Sequence, residues 1–246
     1  MKELEQILVI PDDHGRGFWK EFVKGHENEM IVFLGDYTDP YPHENISEEE
    51  TLANLLDIIK FKKEHIDNVV LLLGNHDCSY RYNSSLCNCR YAKRLAADFR
   101  KAFIDNKNLF QLAYECKIGD KVYNFSHAGI SDEWISDIEH TFYRIEGESN
   151  VEFLNRLYNE EKWELLDYLR YIARLRGGFD PYGSCIWCDV REWLRELSHL
   201  REIKSLTSES YQIFGHTQLR EEPIITDKIA CLDCRRGFFV KKDGIS

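Results

Sequence analysis

Three short apolar runs near the start, separated by stretches long enough for helices, constrain the fold of this 246-residue chain more than any other feature. They are Gln6-Ile-Leu-Val-Ile10, Met30-Ile-Val-Phe-Leu34 and Asn68-Val-Val-Leu-Leu-Leu73. Runs of this length with β-branched residues read as buried strands. Between them the pattern changes. Ser47-Glu-Glu-Glu50 is a capping box, and Leu52, Leu55, Leu56 and Ile59 follow with the helical period. A shorter helix is expected from about Gly17 to His26. Strand–helix–strand–helix–strand with crossovers of this length makes parallel neighbours, right-handed by default. Ligands of such sheets collect at the carboxyl ends of the strands.

Those ends are polar. The first run leads into Pro11-Asp12-Asp13-His14-Gly15, the second into Gly35-Asp36-Tyr37-Thr38-Asp39-Pro40, the third into Gly74-Asn75-His76-Asp77. One such cluster is ordinary turn chemistry. Two later runs end the same way. Leu109–Cys116 and Lys121–Phe125 read as an antiparallel hairpin, whose second arm meets Ser126-His127-Ala128-Gly129. Tyr211–Phe214 meets Gly215-His216-Thr217. Ser184–Cys188, Ile224–Thr226, Ile229–Leu232 and Phe238–Val240 are expected as further strands, and Tyr91–Asp105 and Asp189–Ile203 as helices. The fold class is α/β, with the sheet turning mixed in its second half.

Residues 131–176 stand apart. They are expected to be helical throughout, with Leu165, Leu169 and Ile172 on one face. Eleven acidic and three basic residues lie between Asp132 and Tyr168; the sign then reverses at Arg170, Arg174 and Arg176. A solvated helical cover for the sheet and a cap that selects substrates both fit this pattern. The chain is otherwise expected to be a single domain, residues 1–246.

A net charge of −11 argues against a general nucleic-acid surface, which would be basic. No apolar run approaches the roughly 20 residues that span a bilayer. The first residues carry no signal or transit pattern, so a cytoplasmic location is expected. There the eight cysteines should be reduced. Cys185/Cys188 and Cys231/Cys234 are C-x-x-C pairs that could hold zinc. Their strand-like surroundings put i and i+3 on opposite faces and favour buried thiols.

Taken together, Asp12, His14, Asp36, Asn75, His127 and His216 offer hard oxygens and borderline nitrogens. They suit manganese, iron or zinc better than calcium. Six ligands exceed one tetrahedral site; two ions roughly 3.5–4 Å apart that share a carboxylate would use them all. Neither a P-loop nor a dinucleotide fingerprint is present. An isolated histidine is more often structural or exposed than metal-bound, and His26, His43, His65, His140 and His199 are read that way. For the set, burying these charges together is costly without cations.

The order of the motifs resembles the calcineurin-like metallophosphoesterase superfamily: D-x-H-G at Asp12–Gly15, G-D-x-x-D at Gly35–Asp39, G-N-H-D at Gly74–Asp77, S-H-A-G at Ser126–Gly129 and G-H at Gly215-His216. Ser126-His-Ala-Gly and Ile186-Trp-Cys-Asp189 are similar to the serine/threonine-phosphatase-like branch, which includes bacterial diadenosine tetraphosphatases. The resemblance implies a four-layer αββα sandwich, with the 131–176 segment as a helical insertion, and a two-metal centre, manganese first among the candidates. Asp12, His14 and Asp36 would hold one ion, with Asp36 bridging to a second held by Asn75, His127 and His216. A metal-bridging hydroxide would attack phosphorus, and His76, oriented by Asp39, would protonate the leaving oxygen. Gln218 stands where some members have another histidine, as in the phosphatase-like branch. One departure matters. That branch follows the second aspartate of G-D-x-x-D with Arg-Gly, and here Asp39 is followed by Pro40-Tyr41. The missing arginine contacts phosphate in relatives, which counts against protein-phosphatase activity. Arg16, Arg81 and Arg235 are candidate substitutes, each against the ordinary reading of a solvated arginine.

The expected activity is therefore hydrolysis of a phosphate ester, with phosphoprotein, dinucleoside polyphosphate and small phosphoester all open as substrates. A non-catalytic metal-binding scaffold is the rival from another class. A nuclease is weakened by the acidic charge. Neither a membrane partner nor general nucleic-acid binding is expected.

Overall fold

The computed structural model describes residues 2–82, 90–198 and 210–246. The strands are β1 (Lys2–Leu4), β2 (Gln6–Ile10), β3 (Met30–Phe33), β4 (Val69–Leu72), β5 (Phe110–Gln111), β6 (Ala113–Ile118), β7 (Lys121–Ser126), β8 (Tyr211–Phe214), β9 (Ile224–Ile225), β10 (Ile229–Cys231), β11 (Phe238–Lys241) and β12 (Gly244–Ile245). The α-helices are α1 (Trp19–Val23), α2 (Glu48–Glu64), α3 (Asn75–Arg81), α4 (Ala96–Asp105), α5 (Asp132–Glu139), α6 (Asn150–Asn159), α7 (Leu165–Leu169) and α8 (Val190–Ser198).

The strands form two mixed six-stranded sheets, ordered β12-β11-β2-β3-β4-β5 and β1-β6-β7-β8-β10-β9. In the first, β2 to β5 are parallel and β11 runs antiparallel beside β2. Alternation along β2 and β3 builds the layers. Ile7, Val9, Val32 and Leu34 point between the sheets and meet Phe125, Ile213 and Ala230 of the second. Leu8, Ile10, Ile31 and Phe33 point outward onto Trp19, Leu55, Ile58 and Phe99 of the helices. Phe214, Ile229 and Cys231 on the far face of the second sheet pack against Val190 and Trp193 of α8. The order is helix, sheet, sheet, helix. Strands buried on both faces need no polar alternation, which is why the runs read as continuously apolar. Truncating one of these side chains, such as Leu72, would cost about 2–5 kcal/mol.

Several expectations need correcting. The hairpin does not extend the first sheet. The chain crosses at buried Leu112, so Phe110–Gln111 pairs with β4 while Ala113–Ile118 opens the second sheet. Phe238–Lys241 returns to the first sheet against β2. Ser184–Cys188 is a turn, not a strand: Trp187 and Cys188 both donate their N–H to the Ser184 carbonyl at 2.9 and 3.0 Å. Its side chains are buried toward two different cores, which gives the same apolar composition as a strand. The 131–176 segment is not helical throughout but holds α5, α6 and α7, broken near residues 140–149 and 160–164. Ser131 and Ser149 cap the first two, and Trp134, Phe153, Leu157 and Leu169 join the same core as α2 and α4. The helix expected from Tyr91 begins at Ala96. Cys87, Cys89, His199 and the end of the helix expected to reach Ile203 lie outside the described residues.

Candidate metal centre

The five polar clusters meet at the carboxyl ends of β2, β3, β4, β7 and β8, and Asp36 is their common point. Its Oδ2 lies 3.4 Å from His127 Nε2, 3.8 Å from His14 Nε2 and 4.0 Å from His76 Nε2. Its Oδ1 accepts the His76 backbone N–H at 2.9 Å. Two groups have the spacing of a metal site, Asp12-His14-Asp36 and Asp36-His127-His216, and they share Asp36. Asn75 joins the second: its Oδ1 is 3.0 Å from His127 Nε2, which is also 3.1 Å from His216 Nδ1. All six residues expected as ligands are therefore brought together, and all are buried.

The backbone is bent to do this. His14, Asp36, Asp39 and His216 have φ of 45°, 56°, 59° and 63°, the left-handed region that costs a non-glycine residue about 1–3 kcal/mol. Two glycines let carboxylates come close. A Cβ on Gly74 would stand 2.1 Å from Asp36 Oδ1, and one on Gly215 would stand 2.0 Å from Asp12 Oδ1. Both Asp12 oxygens accept the His216 N–H, at 3.0 and 3.1 Å, joining the first cluster to the last. Asp77 was part of a motif without an assigned role. It takes the N–H groups of Gly74 at 2.9 Å, Asp36 at 2.7 Å and Tyr37 at 3.0 Å, and so pins the β3 and β4 loops together. Asp13 likewise accepts from Gly15 N–H and from Asn54 on α2, both at 2.9 Å.

The donor set fits divalent cations. His14 donates Nδ1–H to the Thr38 carbonyl at 2.7 Å, and His127 to that of Leu34 at 2.9 Å. A backbone acceptor on Nδ1 fixes the ring and turns Nε2 to the centre, the usual support of a metal-ligating imidazole. Electrostatics agree. Burial pushes Asp36 up, but the charges of His127, His76 and His14 hold it well below the carboxylate range. His127 is opposed by burial and still raised to about 10 by Asp36 and Asp12. His14 is lowered to about 3, first by burial, with His76 and Arg90 adding. His216 is pushed well down by burial, then Arg176 and His127. Carboxylates so placed draw in positive charge, which His127 supplies here.

Beside the cluster, His76 Nδ1 is 2.7 Å from Asp39 Oδ2. The other Asp39 oxygen accepts the Tyr80 hydroxyl, which in turn accepts the Ala92 N–H at 2.6 Å. Tyr80 carries no motif, but its place on α3, four residues after His76, was a usable signal. A cavity of about 230 Å³ opens over His14, Asp36, Asn75, His76 and His216, bounded further by Tyr41, Arg90, Arg176 and Trp187. Of the arginines singled out in the sequence, Arg16 and Arg235 pair with Glu44, and Arg81 with Glu161; none lines this cavity. The two that do, Arg90 and Arg176, carry no motif, and the sequence marks Arg176 only by the reversal of charge sign after the acidic stretch.

A family model described as calcineurin-like phosphoesterase matches residues 6–218, which include every one of these clusters. The chain belongs to that family. It is thus a hydrolase of phosphate esters. No curated protein matches this phosphoesterase. Among solved structures it is similar to a serine/threonine phosphatase from Saccharomyces cerevisiae that itself resembles human phosphatase PP5. The identity is 16%, the match covers 98% of this chain and 76% of that one, and the TM-score is 0.47. The six described cysteines of the phosphoesterase are buried free thiols, and neither group of metal-site spacing contains one.

Proposed function

We propose that the phosphoesterase works with two divalent ions, manganese first, one held by Asp12, His14 and Asp36 and the other by Asp36, Asn75, His127 and His216. The observation that supports this reading is the sharing of Asp36 between two ligand groups, in each of which one histidine, His14 or His127, is fixed through Nδ1 by a backbone carbonyl. Bound there, the ions would polarise water and neutralise charge on the phosphoryl group. The chain supplies the rest. His76 lines the cavity, and its Nδ1 is held by Asp39, so its other nitrogen gives a proton to the leaving oxygen. Asp39 is itself fixed by Tyr80. Trp187 packs edge-on against His216, ring centres 5.5 Å apart, and closes one wall to water. The unpaired thiols fit a reducing, cytoplasmic setting.

The test is turnover of p-nitrophenyl phosphate by protein stripped of metal and then given Mn²⁺. Activity should vanish and return. Asp36→Asn should be the most damaging single change, because one carboxylate serves both ions. Undiminished turnover by metal-free protein would overturn the reading.

A further inference from the structure

We infer that Arg90 and Arg176 form the grip on the substrate's phosphate and select a doubly charged terminal phosphate over a diester. This rests on the reading of the site given above. Neither arginine stands where the motif order would place one.

Each is anchored beside one of the two ligand groups. Arg90 donates Nε and Nη2 to the Asp39 carbonyl at 3.1 and 2.8 Å and lies 3.8 Å over the Tyr41 ring, next to His14 and His76. Arg176 donates Nη2 to the His216 carbonyl at 2.9 Å and to Thr217 Oγ1 at 3.0 Å, next to His216. Its Nε is 2.9 Å from Asp189, a carboxylate with no exposed surface that also binds Arg191. Among the described residues, none takes a hydrogen bond from Nη1 of either arginine. Both arginines line the cavity that His14, Asp36, Asn75 and His216 also line.

A guanidinium braced on two sides is preorganised, so little side-chain freedom is lost when it meets an anion. Two of them facing one small cavity suit an anion with several terminal oxygens. A monoester dianion has three such oxygens and two charges; a diester has two and one. Each arginine is therefore worth more on the monoester.

The experiment uses the full chain with Mn²⁺ and the variants Arg90→Met, Arg176→Met and Arg176→Lys. Inorganic phosphate binding is read by calorimetry. kcat/KM is read on p-nitrophenyl phosphate and on bis(p-nitrophenyl) phosphate. Metal content should stay at the wild-type level. Each Met variant should weaken phosphate binding by about tenfold or more, the scale of a charged hydrogen bond. The monoester rate should fall further than the diester rate. Lys should restore part of the loss, since it keeps charge without the fork. Arg176→Met leaves buried Asp189 with one partner fewer; if it fails to fold, Arg90→Met decides alone, because Arg90 is anchored on carbonyls. Phosphate affinity unchanged in folded variants overturns the inference, as do equal losses on both esters, or wild-type protein that binds no phosphate. A metal-free enzyme of full activity would instead overturn the reading of the centre, and phosphate binding by the variants would still report on the arginines.

Discussion

His76 is the residue whose role depends most on its neighbours. Nδ1 bound to Asp39, and Asp39 bound in turn to Tyr80, fix both the ring plane and the nitrogen that faces the cavity. General-acid help of this kind is worth about 10²–10⁴ in rate. It matters most for an alkoxide leaving group and least for p-nitrophenolate, which departs without a proton. His76→Asn should keep both metal ions, lose most activity on alkyl phosphates and lose less on p-nitrophenyl phosphate. Asp39→Asn and Tyr80→Phe should repeat the pattern more mildly. The check is kcat on both substrates with metal stoichiometry; equal losses, or a lost ion, would remove His76 from the role. Residues at strand ends were legible in the sequence because each follows an apolar run and belongs to a recognisable cluster. Arg90 and Arg176 were not legible as site residues, because they reach the centre through loop geometry that composition does not encode.

At the scale of elements, the loops after β3 and β4 behave as one unit. Asp77 sews them together, and Gly74 leaves the space that Asp36 occupies. Adding one methyl group at Gly74 drives it into both the carboxylate and the backbone N of Asp36, at 2.1 and 2.5 Å. Gly74→Ala should therefore cost about 1–3 kcal/mol of stability, the usual penalty of overpacking. It should also lower occupancy of both ions together, because Asp36 belongs to both groups. Urea unfolding and metal analysis would show it, and a folded variant with one ion intact would contradict it. The parallel strands and α2 were legible from period and capping. The turn at Ser184–Cys188 was not: five residues buried toward two cores look like a strand until hydrogen bonds are placed. Nor was the point where the chain passes from one sheet to the other, since the crossing at Leu112 carries neither glycine nor proline.

For the whole molecule, the centre is a store of unfavourable electrostatics. Asp12 is raised to about 6 by burial and by Asp36, and Asp77 to about 7 for the same two reasons. Four of the site's non-glycine residues sit in the left-handed region. Ions that bind only the folded state should relieve this cost. A hundredfold excess of free Mn²⁺ over its dissociation constant adds about 2.7 kcal/mol by mass action. Melting temperature should rise with Mn²⁺ and fall with chelator, and Asp36→Asn should abolish most of that response; a Tm indifferent to metal would refute it. The bond from the His216 N–H to Asp12 joins residues 204 positions apart, across nearly the full span of the clusters. Long-range closures of this kind are slow to form. On a ribosome, the second group of ligands does not exist until His216 has left the tunnel and β8 has docked between β7 and β10. On the function proposed above, a partly made chain then has no competent centre with which to trap metal or attack phosphates, and synthesis itself would act as a safety catch.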